Sequence, residues 1–143
     1  MPRLSLTTPT PTAMVDLTAR IQALVPPGMD AGTCTVTALH TTAGITINEN
    51  ADPDVVHDLL GWLDTAVPLR NNNYLHGEGN SAAHIKAMLV GISQVIPVRQ
   101  GQLALGRWQA VYFCEFDGPR QRQVEVTFCP AAPSGRHSAG QSF

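Results

Sequence analysis

GTCTVTALHTTAGITINENADPDVVHDLLGWLDTAV, residues 32–67, is the stretch that decides the fold. At its start threonines alternate with Cys34, Val36 and Ala38, the pattern of a pleated strand with one apolar face, and His40 closes that row. Further on, Asp52 is placed to cap a helix and Pro53 to occupy its first position. Val56, Leu59, Leu63 and Val67 then share one helical face, with Asp54, His57 and Asp58 on the opposite one, until Pro68 ends the element. The polar Asn48, Glu49 and Asn50 occupy the approach to this helix.

Upstream, Met14, Leu17, Ile21 and Leu24 recur at helical spacing in MVDLTARIQALV, which predicts a first amphipathic helix ended by Pro26-Pro27-Gly28. Downstream, NNNYLHGEGNS reads as a long loop, after which Ser81 is placed to cap a short helix, AAHIKAMLVG, with His84 in its first turn. ISQVIPV, RWQAVYFCEFD and RQVEVTF follow as strands, separated by turn signals at Gln100-Gly101 and Gly118-Pro119, and adjacent antiparallel pairing is expected of them. Helix, strands, two helices and then strands favour α+β with antiparallel sheets and helices along one side.

A chain of 143 residues holds one core, so residues 1–130 are read as a single domain. Residues 131–143, small and polar, are expected to form a flexible tail. With 43% apolar residues and a formal charge of −2 the composition is that of a soluble globular protein. Lys86 is the sole lysine and the arginines are scattered, which argues against nucleic acid or an anionic membrane as partner. No apolar run suggests a signal peptide or a membrane span, so a cytoplasmic location is expected. Cys34, Cys114 and Cys129 form no C-x-x-C pair and read as reduced thiols.

His40, His76 and His84 stand on a strand end, a loop and a helix start. Three neutral imidazoles can complete the protein half of a catalytic zinc site and leave one position open. The alternative reading makes them a core residue, a solvent-facing loop residue and an ordinary first-turn side chain. Glu115 shares a strand face with Val111 and Phe113, where a lone carboxylate is expensive to bury. It therefore requires a partner. A general base, a metal ligand, an acceptor for a histidine N–H and a structural ion pair with an arginine all satisfy that need. Arg107, Arg120, Arg122 and Lys86 are the cations nearest these motifs, and an arginine fork suits phosphate oxygens.

HTTAGITINENADPDV, Tyr74 to His76, Ala83 to Lys86 and GQLALGRWQAVYFCEFDGPR together resemble, in order, the signature segments of the YjbQ family, known as secondary thiamine-phosphate synthases. The resemblance runs from about Thr33 to Val126. It implies an α+β fold built around a β-sandwich of mainly antiparallel strands, assembled as a homotrimer, with a divalent metal, most simply zinc, on His40, His76 and His84. Glu115, Glu49, Asn48 and Asn50 become candidate catalytic residues, and Arg107, Lys86 and Arg120 candidate binders of substrate phosphate. The implied reaction joins a pyrimidine pyrophosphate to a thiazole phosphate and releases pyrophosphate. A metal-dependent hydrolase or lyase on a small phosphorylated metabolite, and a trimeric metal- or metabolite-binding protein without turnover, are the competing readings. The segment between Tyr74–His76 and Ala83–Lys86 is shorter than in many relatives, and Ala87 and Met88 replace two hydroxyl side chains common there.

Overall fold

The computed structural model describes residues 2–132. Eight strands and three helices follow in the order β1 (Arg3–Thr7), β2 (Ala13–Asp16), α1 (Thr18–Gln22), β3 (Gly32–Ala38), β4 (Ala43–Glu49), α2 (Pro53–Ala66), α3 (Ser81–Val90), β5 (Ser93–Arg99), β6 (Gln102–Leu103), β7 (Gln109–Glu115) and β8 (Gln121–Pro130). The fold is α+β, with one antiparallel sheet ordered β1-β8-β3-β5-β6 and a second ordered β2-β7-β4. Among the described residues no helix is long and apolar enough to cross a membrane. The expected tail falls mostly on 133–143, outside the described residues.

Both sheets feed one core. Leu4, Cys34, Val36, Val98, Val124 and Val126 enter from the first, Ile45, Val111 and Phe113 from the second, and Leu17 and Ile21 plug it from α1. Strand β7 is buried from Ala110 to Glu115, as the middle strand of a sheet covered on both sides must be. Its other face, Ala110, Tyr112 and Cys114, packs with Ala83 and Ala87 of α3 and half-buried Val56, Leu60 and Leu63 of α2.

Several expectations are corrected. Residues 13–16 form β2 on the edge of β7, and helix is confined to Thr18–Gln22. The Asp16 carboxylate accepts hydrogen bonds from the Thr18 backbone N–H (2.9 Å) and hydroxyl (2.6 Å), turning the chain from strand into helix. Residues 43–49 form a full strand, and Arg3–Thr7 alternates Leu4 and Leu6 inward against exposed neighbours. The last long strands are not mutual neighbours: β5 and β8 flank β3, whereas β7 belongs to the other sheet. The two-sided burial of β7 makes it an interior strand, and the alternating β5 and β8 suit a sheet wetted on one side. The signal at Gln100-Gly101 does make a tight hairpin, with φ of 53° and 70°.

Asp52 caps α2 as expected, accepting from the Asp54 N–H at 2.9 Å, with Pro53 in the first turn. Yet no side chain of α2 is fully buried. Its cap therefore carries an unusual share of its stability, and Asp52→Ala is expected to lose about 1 kcal/mol in urea denaturation. An unchanged midpoint would show that packing alone holds the helix. Helix α3 starts one residue earlier than Ser81 capping requires, with Asn80 at the cap and no side-chain capping bond.

Candidate functional site

One end of the second sheet carries a polar cleft of about 360 Å³. Its wall on one side is the 69–80 loop and the first turn of α3, which bring His76 and His84 together with ring centroids 5.5 Å apart, edge to face. The loop holds its shape by its own bonds: the Tyr74 hydroxyl donates to the Pro68 carbonyl (2.9 Å), and the Gly79 N–H to the His76 carbonyl (3.2 Å). Glu78 Oε2 lies 4.0 Å from His76 Nε2.

The facing wall is the turn from β7 to β8. Arg120 donates to the Asp117 carbonyl (2.7 Å) and carboxylate (3.0 Å), and the same carboxylate oxygen accepts from Asn80 Nδ2 at 2.9 Å. Asn80 Oδ1 is buried without a donor among the described residues. Thr41 and Thr42, between β3 and β4, complete the rim, and Arg122 reaches it from β8.

Beneath the rim Glu115, 0% exposed, and Arg122, 4% exposed, form a buried ion pair. Arg122 Nε donates to Oε1 (2.8 Å), and its Nη2 donates both to Oε2 and to the Thr42 hydroxyl (2.8 Å). The Thr8 hydroxyl donates to Oε1 (2.6 Å), and the N–H groups of Phe116 and Asp117 to Oε2 (3.0 and 3.2 Å). Burial pushes the Glu115 carboxyl up, but hydrogen bonds from Arg122, Thr8 and Asp117 and the Arg122 charge outweigh it and hold the group below the usual glutamate range. Of the partners open to Glu115, the structure gives it an arginine.

The other expected residues disperse. His40 does not line the cleft; its Nε2 accepts the Gln123 N–H at 2.8 Å. Burial first, then the Arg122 charge, keep its pKa below that of a free histidine, against an opposing pull from Glu115. The three-histidine set is therefore not assembled within one chain. Among the described residues no three His, Cys, Asp or Glu side chains gather closely enough to hold a metal. Lys86 is buried in an ion pair with Asp64, 6.0 Å from the Phe116 ring centre, and Arg107 lies 4.7 Å over its neighbour Trp108. Neither lines the cleft, whereas Arg120 does.

Asn48, Glu49 and Asn50 sit at the far end of β4, opposite Ala110 and Gln109, while Ala43 at the near end pairs with Glu115. Six strand steps separate the two ends, about 20 Å. There the Tyr112 hydroxyl donates to the Glu49 carbonyl (3.0 Å) and Asn50 Nδ2 to Asp16 (3.3 Å). Asp117, Glu78, Asn80 and Thr42 were not singled out by sequence. Arg122 carried a readable signal, since it falls in the same alternating row as inward-facing Val124 and Val126.

Two antiparallel sheets sharing a core, with a cleft of paired imidazoles and arginines at one end, define the class of this protein as an α+β fold with a polar pocket over a buried ion pair. The chain belongs to the YjbQ-like UPF0047 family, whose profile matches residues 2–131. It is 49% identical over 114 residues to the UPF0047 protein YugU of Bacillus subtilis, covering 79% of this chain and 86% of that one. It is 37% identical over 112 residues to YjbQ of Salmonella typhimurium, covering 74% and 79%. Among solved structures, a YjbQ/UPF0047 family protein of Clostridium acetobutylicum superposes with a TM-score of 0.88 at 48% identity, covering 90% of this chain and 100% of that one. A conserved hypothetical protein of Thermus thermophilus gives 0.85 at 40% identity, with the same coverage.

Proposed function

We propose that this chain is an enzyme acting on a small phosphorylated metabolite in the cleft between His76, His84 and the Arg120–Arg122 turn. Its reaction is of the thiamine-phosphate synthase type, joining a pyrimidine pyrophosphate to a thiazole phosphate and releasing pyrophosphate. The observation that carries this reading is the meeting, in one cleft, of two imidazoles with two guanidinium groups, one of them locked in place by Glu115 and Thr42. An arginine already fixed by such partners loses little further freedom on gripping an anion, so its contact with a departing pyrophosphate is strong from the outset. Arg120, more exposed and tethered by Asp117, closes over the same oxygens. Glu115 acts through Arg122, as a positioning residue.

The paired imidazoles, with the donor-free Asn80 Oδ1 at the cleft, fit a divalent metal of the zinc class as two ligands from this chain; His40 does not join them. When bound, the metal supplies Lewis-acid stabilisation of phosphoryl oxygen. The same reading has the protein working as a cytoplasmic homotrimer, which the exposed apolar Leu39, Met88, Leu89 and Ile92 favour. Sedimentation velocity tests that assembly.

Elemental analysis and a product assay test the rest. Wild type is expected to carry metal that is lost in both His76→Ala and His84→Ala, and to form thiamine phosphate. Arg120→Gln is expected to keep the metal but lower kcat/KM at least about tenfold, the worth of one charge-assisted hydrogen bond. No thiamine phosphate from metal-loaded protein would sink the transferase reading. Release of pyrophosphate without the thiazole partner would instead favour metal-assisted hydrolysis, which the pairing of imidazoles beside Glu78 and Asp117 also suits.

A further inference from the structure

A second cavity, of about 550 Å³, lies between α2 and the outer face of the β2-β7-β4 sheet. It shares no lining residue with the cleft, though Phe116 borders the one and Asp117 the other. Its walls are almost wholly apolar: Leu59, Trp62 and Leu63 from α2 face Met14, Cys114 and Phe116 from the sheet side. The helix above it is incompletely packed. None of its side chains is fully buried, and Trp62 is 68% exposed. This fourteen-residue helix thus borders a space that its own side chains leave partly unfilled.

The size falls within the range of small-molecule pockets, roughly 300–1,000 Å³. Apolar walls of this kind favour a nonpolar guest, whose burial there removes apolar surface from water. Two aromatic side chains, Trp62 and Phe116, with the Met14 and Cys114 sulfurs in the same lining suit a flat ring, through stacking and sulfur–ring contact. Of the three polar residues at the wall, Thr46, Asn48 and Asp58, the last is paired with His57 at 3.1 Å, and Asn48 offers an amide donor. Asn48 Oδ1 is spent on the Glu49 N–H at 2.8 Å, an arrangement that also fixes the orientation of the amide. Its Nδ2 group then remains a donor without a protein acceptor among the described residues, on a part-buried residue lining the cavity. A donor at the edge of an apolar cavity selects a ring carrying an acceptor nitrogen.

We propose that this cavity is a binding site for a small, flat, uncharged heteroaromatic ring, held between Trp62 and Phe116 and recognised by the Asn48 amide. The proposal does not depend on the reaction assigned to the cleft. It also gives Asn48 a role at a site of its own.

The test uses Trp62 as reporter in Trp108→Phe, where it is the only tryptophan left of two. Its fluorescence is followed while adding 3-methylpyridine, toluene or cyclohexanol at mildly alkaline pH, where all three are uncharged. Saturable changes are expected for the two aromatic probes, with 3-methylpyridine bound about five- to tenfold more tightly, the worth of one neutral hydrogen bond. Asn48→Leu should bring the two to equal affinity. Thr46→Phe and Leu59→Phe, which fill the cavity from opposite walls, should abolish both. Lack of saturation with either ring overturns the proposal, as does equal binding in the filled variants. A Trp62 signal that answers to protein dilution and not to the probes also overturns it, by showing that a second copy of the chain occupies the space.

Discussion

Glu115→Ala is expected to lower unfolding free energy by about 3–5 kcal/mol, because it leaves the Arg122 guanidinium buried with no counter-charge. The carboxylate accepts from the side chains of Arg122 and Thr8 and from two backbone N–H groups, and the residue is 0% exposed. Removing it strands donors from β8 (Arg122), from the residue after β1 (Thr8) and from the turn after β7 (Phe116 and Asp117) at once. Replacing both partners, as Glu115→Leu with Arg122→Met, should recover most of the loss, since an apolar pair of similar volume needs no counter-charge. Urea denaturation of the single and double variants checks this, and a double variant as unstable as the single one would refute the assignment of the cost to an unpaired charge. The pH dependence follows in sign. Because the folded carboxyl titrates below the ordinary glutamate value of 4.5, its contribution is fully present above that value and is lost as the pH falls through the lower folded value. The double variant should therefore lose less stability than wild type over that acidic window.

Gly44→Ala is expected to cost about 1–3 kcal/mol. A methyl group there would lie 2.6 Å from the Gly91 carbonyl oxygen and 2.9 Å from Val90 Cγ1, closer than atoms tolerate. The Ile45 N–H donates to the same carbonyl at 2.9 Å, so the end of α3 is laid directly on β4 at this glycine. Relief of the clash requires α3 to lift. That helix carries His84, so the substitution should loosen the His76–His84 pair as well as the fold. Thermal unfolding reads the first effect and metal content the second; a melting temperature equal to wild type would mean that β4 and α3 can part without penalty.

The parts of the fold legible in the sequence were those with a signal confined to one element. Asp52-Pro53 announced α2, the alternation of Cys34, Val36 and Ala38 announced β3, and the apolar setting of Glu115 foretold a partnered carboxylate. Residues 14–21 misled because Met14, Leu17 and Ile21 satisfy a helical period, although Met14 and Leu17 serve opposite sides of a strand-turn-helix unit. Strand β1 holds only two inward leucines and its pairing partner lies at the other end of the chain, so nothing local marks it. The cleft was legible in half. His76 and His84 meet because a short loop leads straight into a helix, whereas the row ending at His40 is drawn toward the backbone of Gln123. In sequence Arg122 is only one of several cations, although its place in the row of Val124 and Val126 marks it as inward-facing.

The pairing of β1 with β8 has a consequence for synthesis of the chain. Arg3 meets Glu125, and Thr8 bonds to Glu115 across 107 residues, so β1 finds its place only after β8 is made. Until β8 has left the ribosome, β1 has no hydrogen-bonding neighbour and β3 is missing one of its two. Contacts so distant along the chain close slowly, and unpaired strand edges are where nascent chains adhere to one another. A nascent chain halted before Gln121 would therefore hold Glu115 without its arginine, and this buried charge becomes tolerable only once β8 has been made.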